Sequence, residues 1–480
     1  MRRSPSALPR VTQLALTLTL ATACAVKAPT SAGPPLPERP FTMPDVAQAT
    51  LSNGLVVKVA QRSTVPLFSM TLAVRAGGFL DPEGQEGLAS ATWSMLDKGT
   101  TTHSATDISR LVRATGGSLS TGANNSYAYA SVSGPTRNLD ALVELWADVL
   151  LNPAFPEDEW DMFRARRLAG LRAAAENPTA IASKVASRIL WGDSPFGRAT
   201  TEASTAATSI SDLRSFHSTY TAPNNAVLFV GGDVDLNALV PKLEAALAGW
   251  EPGASPERPS PEPQTFQAAT MYVVDKPGAA QSVVRTILPM GPHGAEDHFA
   301  LDLGTTAIGG AFTARLNMNL REDKGYTYGA RCGISYGYGP GVFECSTSVN
   351  TPVTGPALAE TRAELTDPLS SRPITEDEIA YFRGYRSGSF QLGFETPDQL
   401  LARWREIWVY DRPAGWLTQQ VPGWQSVTLA EAQQAYSRWF DPSRLAWLVV
   451  GDLSQIGDDL IDFGLPVVHL DRDGLPLENP

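Results

Sequence analysis

The sequence predicts an α+β fold repeated twice in tandem. Three observations carry that expectation: one constant offset relates the two halves, short alternating segments lie at the ends of each half, and helical segments gather between them. The 480 residues, 43% hydrophobic and 18% charged, suffice for two or three domains with substantial cores and are too apolar for wholesale disorder.

In chain order, the first segment reads as an address. Arg2, Arg3 and Arg10 precede the apolar run 11–23, which is too short to span a bilayer and the right size for a signal peptide over 1–23. Its end, Ala21-Thr22-Ala23-Cys24, reads either as a small-x-small cleavage site or as a bacterial lipobox with Cys24 lipidated. We take the chain as exported to the periplasm and held at the outer membrane by a lipid on Cys24. That anchor is the only membrane contact expected. Residues 24–44, rich in Pro, Ala and Ser, read as a flexible tether.

The N-terminal domain is expected over 45–250. Leu55 to Ala60 and Met70 to Ala76 read as strands, Ser118 to Ser133 as a hairpin and Ala226 to Gly231 as a closing strand. Gly87 to Leu96, Ser104 to Ala114, Leu139 to Leu150, Asp158 to Ala175 and Ala180 to Leu190 read as helices. Each domain is therefore expected as an antiparallel-rich sheet with helices packed on one face. A Pro-rich linker over 251–267 leads to a second domain over 268–465 and a C-terminal tail over 466–480.

The repeat fixes that division. Adding 219 moves Glu157-Asp158-Glu159 onto Glu376-Asp377-Glu378, Glu176 and Pro178 onto Glu395 and Pro397, and Gly232-Asp233 onto Gly451-Asp452. A period of about 200 residues is too long for a solenoid, so each copy is a domain. The acidic triplets open a helix in each copy, where negative charge suits the dipole.

At 84–100 the chain reads GQEGLASATWSMLDKGT. This resembles peptidase family M16, the insulinase, pitrilysin and mitochondrial processing peptidase family, whose helix reads roughly G-L-A-H-x-x-E-H-M-L-x-K-G-T. Gly87-Leu88-Ala89, Met95-Leu96 and Lys98-Gly99-Thr100 are in register. Ser90 and Ser94 stand where the zinc-binding histidines belong, Trp93 where the glutamate base belongs, and Leu171 at the spacing of the third ligand. Serine hydroxyls are poor zinc ligands and an indole is no base, so the site reads as degenerate and no metal is expected in this chain.

The resemblance extends over about 45–460 and implies the M16 metallopeptidase-like fold for both copies. In the second copy, Arg321 and Tyr328 match an Arg/Tyr pair seven residues apart. The resemblance implies that Arg321 holds a substrate carbonyl and Tyr328 donates to the developing oxyanion. It also implies that Leu119, Ser120, Thr121 and Gly122 form an edge strand on which extended peptide is laid. Some family members split the work between a zinc-bearing and a zinc-free chain, and this sequence fits the zinc-free type.

Other candidates are weaker. Cys332 and Cys345 flank a glycine-rich turn and fall opposite each other in a symmetric hairpin, so they form a cross-strand disulfide or remain two buried thiols. His298 and Asp302, four apart, could share a metal, but none of the five histidines makes a recognised zinc motif. Gly333 to Gly337 spells G-x-S-x-G around Ser335 without the strand-turn-helix setting of a nucleophile elbow. Six tryptophans from Trp404 to Trp447 suit core and inter-domain packing better than the alternative, an apolar peptide-binding wall.

A net charge of −12 leaves no basic face for nucleic acid. The expectation is the supporting subunit of a heterodimeric zinc peptidase acting on peptides, with zinc in the partner. A non-enzymatic assembly protein and a self-sufficient zinc peptidase are the alternatives.

Overall fold

The computed structural model describes residue 43 and residues 45–477, apart from 258–260, 293 and 414. The segments expected as signal peptide and tether, Cys24 included, lie outside the described residues apart from residue 43. No helix among those described is long and apolar enough to cross a membrane.

Each half contains one six-stranded mixed sheet. In the first, β1 (Ala47–Thr50), β2 (Val56–Gln61), β3 (Leu67–Val74), β4 (Ser118–Ala123), β5 (Ala128–Pro135) and β6 (Ala226–Gly232) lie in the order β1-β2-β6-β3-β5-β4. In the second, β7 (Thr270–Asp275), β8 (Gln281–Pro292), β9 (Thr327–Ser335), β10 (Pro340–Asn350), β11 (Ala446–Gly451) and β12 (Val467–Leu470) lie in the order β12-β7-β11-β8-β10-β9. The central strands β6 and β11 are buried at every residue, as their continuous apolar runs require. The helix after Ser104 begins with the capping box that Ser104 and Asp107 encode.

The outer strand beside β2 and β7 comes from opposite ends of the chain. β1 pairs antiparallel with β2, whereas β12 pairs parallel with β7. The segment expected as a tail from 466 therefore completes the second sheet. Four residues are too short a run to show a period in sequence.

Beyond the expected packing of helices on each sheet, one helix of each half crosses to the sheet of the other. Helix Pro178–Trp191 leaves the first half and packs on β8 and β11, while its repeat counterpart, Pro397–Val409, packs on β2, β3 and β6. Ile181, Val185, Ile189 and Leu190 join Val274, Val283, Leu448 and Val450 in one shared core. Burying each of those four helix side chains contributes roughly 1.5–3 kcal/mol. In return, Pro397 and Leu401 sit so close to Gly231 that an added Cβ there would lie 2.7 Å and 3.1 Å from them. Polar contacts pin the same interface: Tyr338 donates to the Ser126 carbonyl at 3.0 Å, and Arg75 donates to the Trp408 carbonyl and to Asp411, both at 3.1 Å.

Candidate functional site

The helix that carries the M16-like motif spans Leu88–Ser94. It begins at Gly87, whose φ of 98° is in the left-handed region that glycine tolerates best. A Cβ at Gly87 would lie 2.6 Å from Thr200 Oγ1 and 2.9 Å from Arg167 Nη1, so close approach as well as conformation demands glycine. Asp81 caps the helix from outside, accepting from the Gly87 and Ala89 N–H groups at 2.6 and 2.7 Å. Burial pushes the Asp81 carboxyl up to about 6, outweighing those two donors and the nearby Arg167 guanidinium.

Arg167 is the residue that reaches the motif helix. It lies on the long helix Glu157–Ala174, donates to the Gly87 carbonyl at 2.8 Å and makes a short hydrogen bond to Ser90 Oγ. The sequence spacing pointed instead to Leu171, one helical turn farther along, which is half-buried. Trp93 is fully buried in the first-half core, with its indole N–H unpaired. It fills volume where a base would need access to water.

These residues do not fit zinc. Metal binding needs three donor side chains, and at the motif positions the helix offers the hydroxyls of Ser90 and Ser94 and the Trp93 indole. A guanidinium beside Ser90 also repels a second cation. Among the described residues no group of three His, Cys, Asp or Glu is arranged to hold a metal.

Ser90 opens onto a cleft of about 240 Å³ shared with Glu86, Ala123, Asn124, Lys184 and Arg198. The end of β4 thus borders it. β4 is the edge of the first sheet and pairs with β5 alone, so Leu119, Ser120, Thr121 and Gly122 lie on an edge strand. The motif helix packs against that strand.

Arg321 and Tyr328 are together in the second half but do not line this cleft. Arg321 lies in the last turn of a helical segment, Met318–Asp323, and donates to the Tyr328 carbonyl at 2.9 Å. Its guanidinium also lies 4.8 Å from the Phe312 ring centroid and 3.2 Å from Glu322. Tyr328, the second residue of the edge strand β9, is 89% exposed. The pair is braced from below and faces outward.

The remaining candidates resolve simply. Cys332 and Cys345 are directly opposed across β9 and β10 and are disulfide-bonded. Asp302 is taken by Arg386 at 2.5–2.8 Å and by the Trp424 indole at 2.7 Å, so it does not pair with His298 as a metal site. Ser335 ends β9 before a turn, outside any strand-to-helix setting. Trp404 and Trp408 lie in the interface under Lys58 and Arg75, and Trp447 is buried in β11.

Sequence reasoning missed Arg167. One signal was available: Arg386 stands 219 residues later, in register with the repeat, and makes the corresponding reach to the first helix of its own half.

Comparison with known proteins agrees with this architecture. The family model described as Insulinase (Peptidase family M16) matches residues 56–204, and that described as Peptidase M16 inactive domain matches 208–383. An uncharacterized zinc protease of Streptomyces coelicolor is 25% identical over 371 residues, covering 75% of this chain and 79% of that protein. One from Mycobacterium tuberculosis is 26% identical over 361 residues, covering 74% and 82%. A peptidase M16 inactive domain from Pseudomonas fluorescens superposes with a TM-score of 0.77 at 20% identity, covering 85% of this chain and 98% of that one. A protease from Helicobacter pylori gives 0.77 at 18% identity, covering 85% and 99%. At such identities the two structures speak for the fold alone. With both halves matched by its models and a shared fold, this chain belongs to peptidase family M16.

Proposed function

We propose that this M16 chain is the zinc-free supporting subunit of a two-chain peptidase, acting with a zinc-bearing M16 chain on extended peptides or unfolded proteins in the cell envelope. The observation that carries the reading is Arg167 on Ser90: a fixed cation occupies the helix face on which the family's resemblance places metal ligands. Catalysis then needs a metal from elsewhere, and what this chain retains is suited to serve it. The open edge of β4 can accept a peptide by backbone pairing. Arg321 and Tyr328 face outward, the direction from which a second chain would bring its own site. The shared core between the halves also makes wide opening within one chain costly, which favours a chamber formed between two chains.

The test combines the purified chain with a zinc-bearing M16 partner and measures bound zinc by elemental analysis and cleavage of an unstructured peptide. No zinc and no cleavage by this chain alone, with activity rising on mixing, is the expected result. Tyr328→Phe should lower kcat of the mixture by about 10²-fold, the usual cost of an oxyanion donor, and Arg321→Ala by a similar factor. Unchanged activity in both variants would leave a non-enzymatic assembly role instead.

A further inference from the structure

The duplication places a second cleft in the C-terminal half where the first half has the Ser90 cleft. Lys184 and Ser187 of one exchanged helix line the first; their counterparts 219 residues on, Arg403 and Glu406 of the other, line the second. The walls differ in kind. Trp416, Trp424, Phe390 and Tyr336 give the second cleft an aromatic lining, and the His298 ring centroid lies 4.9 Å from that of Tyr336 and 5.3 Å from that of Trp416.

The charges lining it leave one cation over. Asp302 is held by Arg386 and Trp424, so that pair is internally neutral. Arg403 and Glu406 stand 3.6 Å apart and offset each other. Burial lowers the pKa of His298, which keeps the ring neutral at pH 7. Arg412 remains. It is 9% exposed, donates among the described residues to the backbone carbonyls of Tyr336 at 2.6 Å and Gly337 at 3.4 Å, and has a buried Nε without an acceptor there. No carboxylate among the described residues lies within ion-pair distance of it, and Glu406 acts on it only from farther away.

A buried cation without a close counter-charge is costly, and an entering anion offsets that cost. The planar guanidinium matches a carboxylate, and indole faces match a flat apolar group. The volume, about 270 Å³, is below the usual 300–1,000 Å³ of ligand pockets and limits the occupant to one ring with its acid. We infer that the C-terminal cleft binds a monoanionic carboxylate carried on an aromatic group, with Arg412 as the partner of the anion and Trp416 and Trp424 against the ring. A free aromatic acid and the C-terminal residue of a peptide share that chemistry. The inference uses none of the residues of the proposed peptidase role, and its test needs no partner chain.

Calorimetry on the purified chain with 3-phenylpropionate and with N-acetyl-alanyl-phenylalanine, each against its own carboxamide, decides it. One saturable site is expected for at least one acid, with the matching amide at least about tenfold weaker, the size of a charge-assisted hydrogen bond. Arg412→Met should weaken the acid by the same factor and leave the amide unchanged, and Arg412→Lys should fall between. Tighter binding of the dipeptide identifies a chain terminus; tighter binding of the small acid identifies a free metabolite-sized acid. Absence of saturable binding by both acids, equal affinity for acid and amide, or an unweakened Arg412→Met each overturns the inference. If Arg412→Met does not fold, the acid-against-amide difference in the wild type and the Arg412→Lys variant decide.

Discussion

In the N-terminal half, Arg167 on the long helix ends on a serine hydroxyl and a backbone carbonyl; in the C-terminal half its counterpart Arg386 ends on both oxygens of Asp302. Both side chains tie the long helix to the first helix of their half, and only the acceptor differs. Where the second half has a carboxylate to neutralise the guanidinium, the first half leaves it on hydroxyl and carbonyl dipoles with Asp81 acting through space. The difference teaches that the N-terminal site is closed by a substituted cation, using a brace the fold already has in its other copy. Restoring two histidines would leave that brace in place.

The largest effect expected from this comparison is therefore all-or-none. Ser90→His with Ser94→His should bind no stoichiometric zinc while Arg167 is present, and adding Arg167→Glu should bring about one equivalent by elemental analysis. Adding Leu171→Glu in its place should not, and zinc uptake by that variant would return the third position to the one the sequence spacing gave. Next in size, Arg386→Met strands the buried Asp302 with only Trp424 and should cost on the order of 3 kcal/mol in urea unfolding. Arg167→Met removes bonds to neutral groups and should cost about 1 kcal/mol. Equal costs would mean that the two braces are energetically alike.

The hairpins give a further contrast. β9–β10 carries the Cys332–Cys345 bond and β4–β5 has no counterpart. Replacing both cysteines with alanine should lower stability by about 3 kcal/mol, the loop-closure entropy of a short loop. The smallest effect concerns the Asp81 cap. Its carboxyl is raised to about 6, above its value in an unfolded chain, so folding favours the protonated form. That contribution is fully present below about pH 4 and lost as pH rises through about 6. Relative to Asp81→Asn, the wild type should therefore gain on the order of 2 kcal/mol between pH 7 and pH 4, read from paired denaturation curves. A flat difference would show that the two backbone donors and Arg167 fully offset burial.

Much of this was legible in the residues. The offset of 219 gave the two halves, and alternation in segments such as Ser118 to Ser133 gave the strands. The degenerate motif was legible because residue types alone decide whether Ser90, Trp93 and Ser94 can serve a metal. Arg167 was not, because a spacing carried over a long insertion cannot separate one turn of a helix from the next, and only packing selects Arg167 over Leu171. The exchange of helices was hidden for a related reason. An apolar stripe such as Ile181, Val185 and Ile189 says that a helix is covered and not which sheet covers it.

That exchange bears on how the chain can be divided. Each sheet has one face sealed by a helix from the far side of the linker, so a half expressed alone would present a bare apolar sheet together with a stray amphipathic helix. A protease cut near Pro252 should then yield two fragments that remain associated through native elution, and refolding should restore either both halves or neither. Joined in this way, the halves form one compact unit from a duplicated sequence and should unfold together.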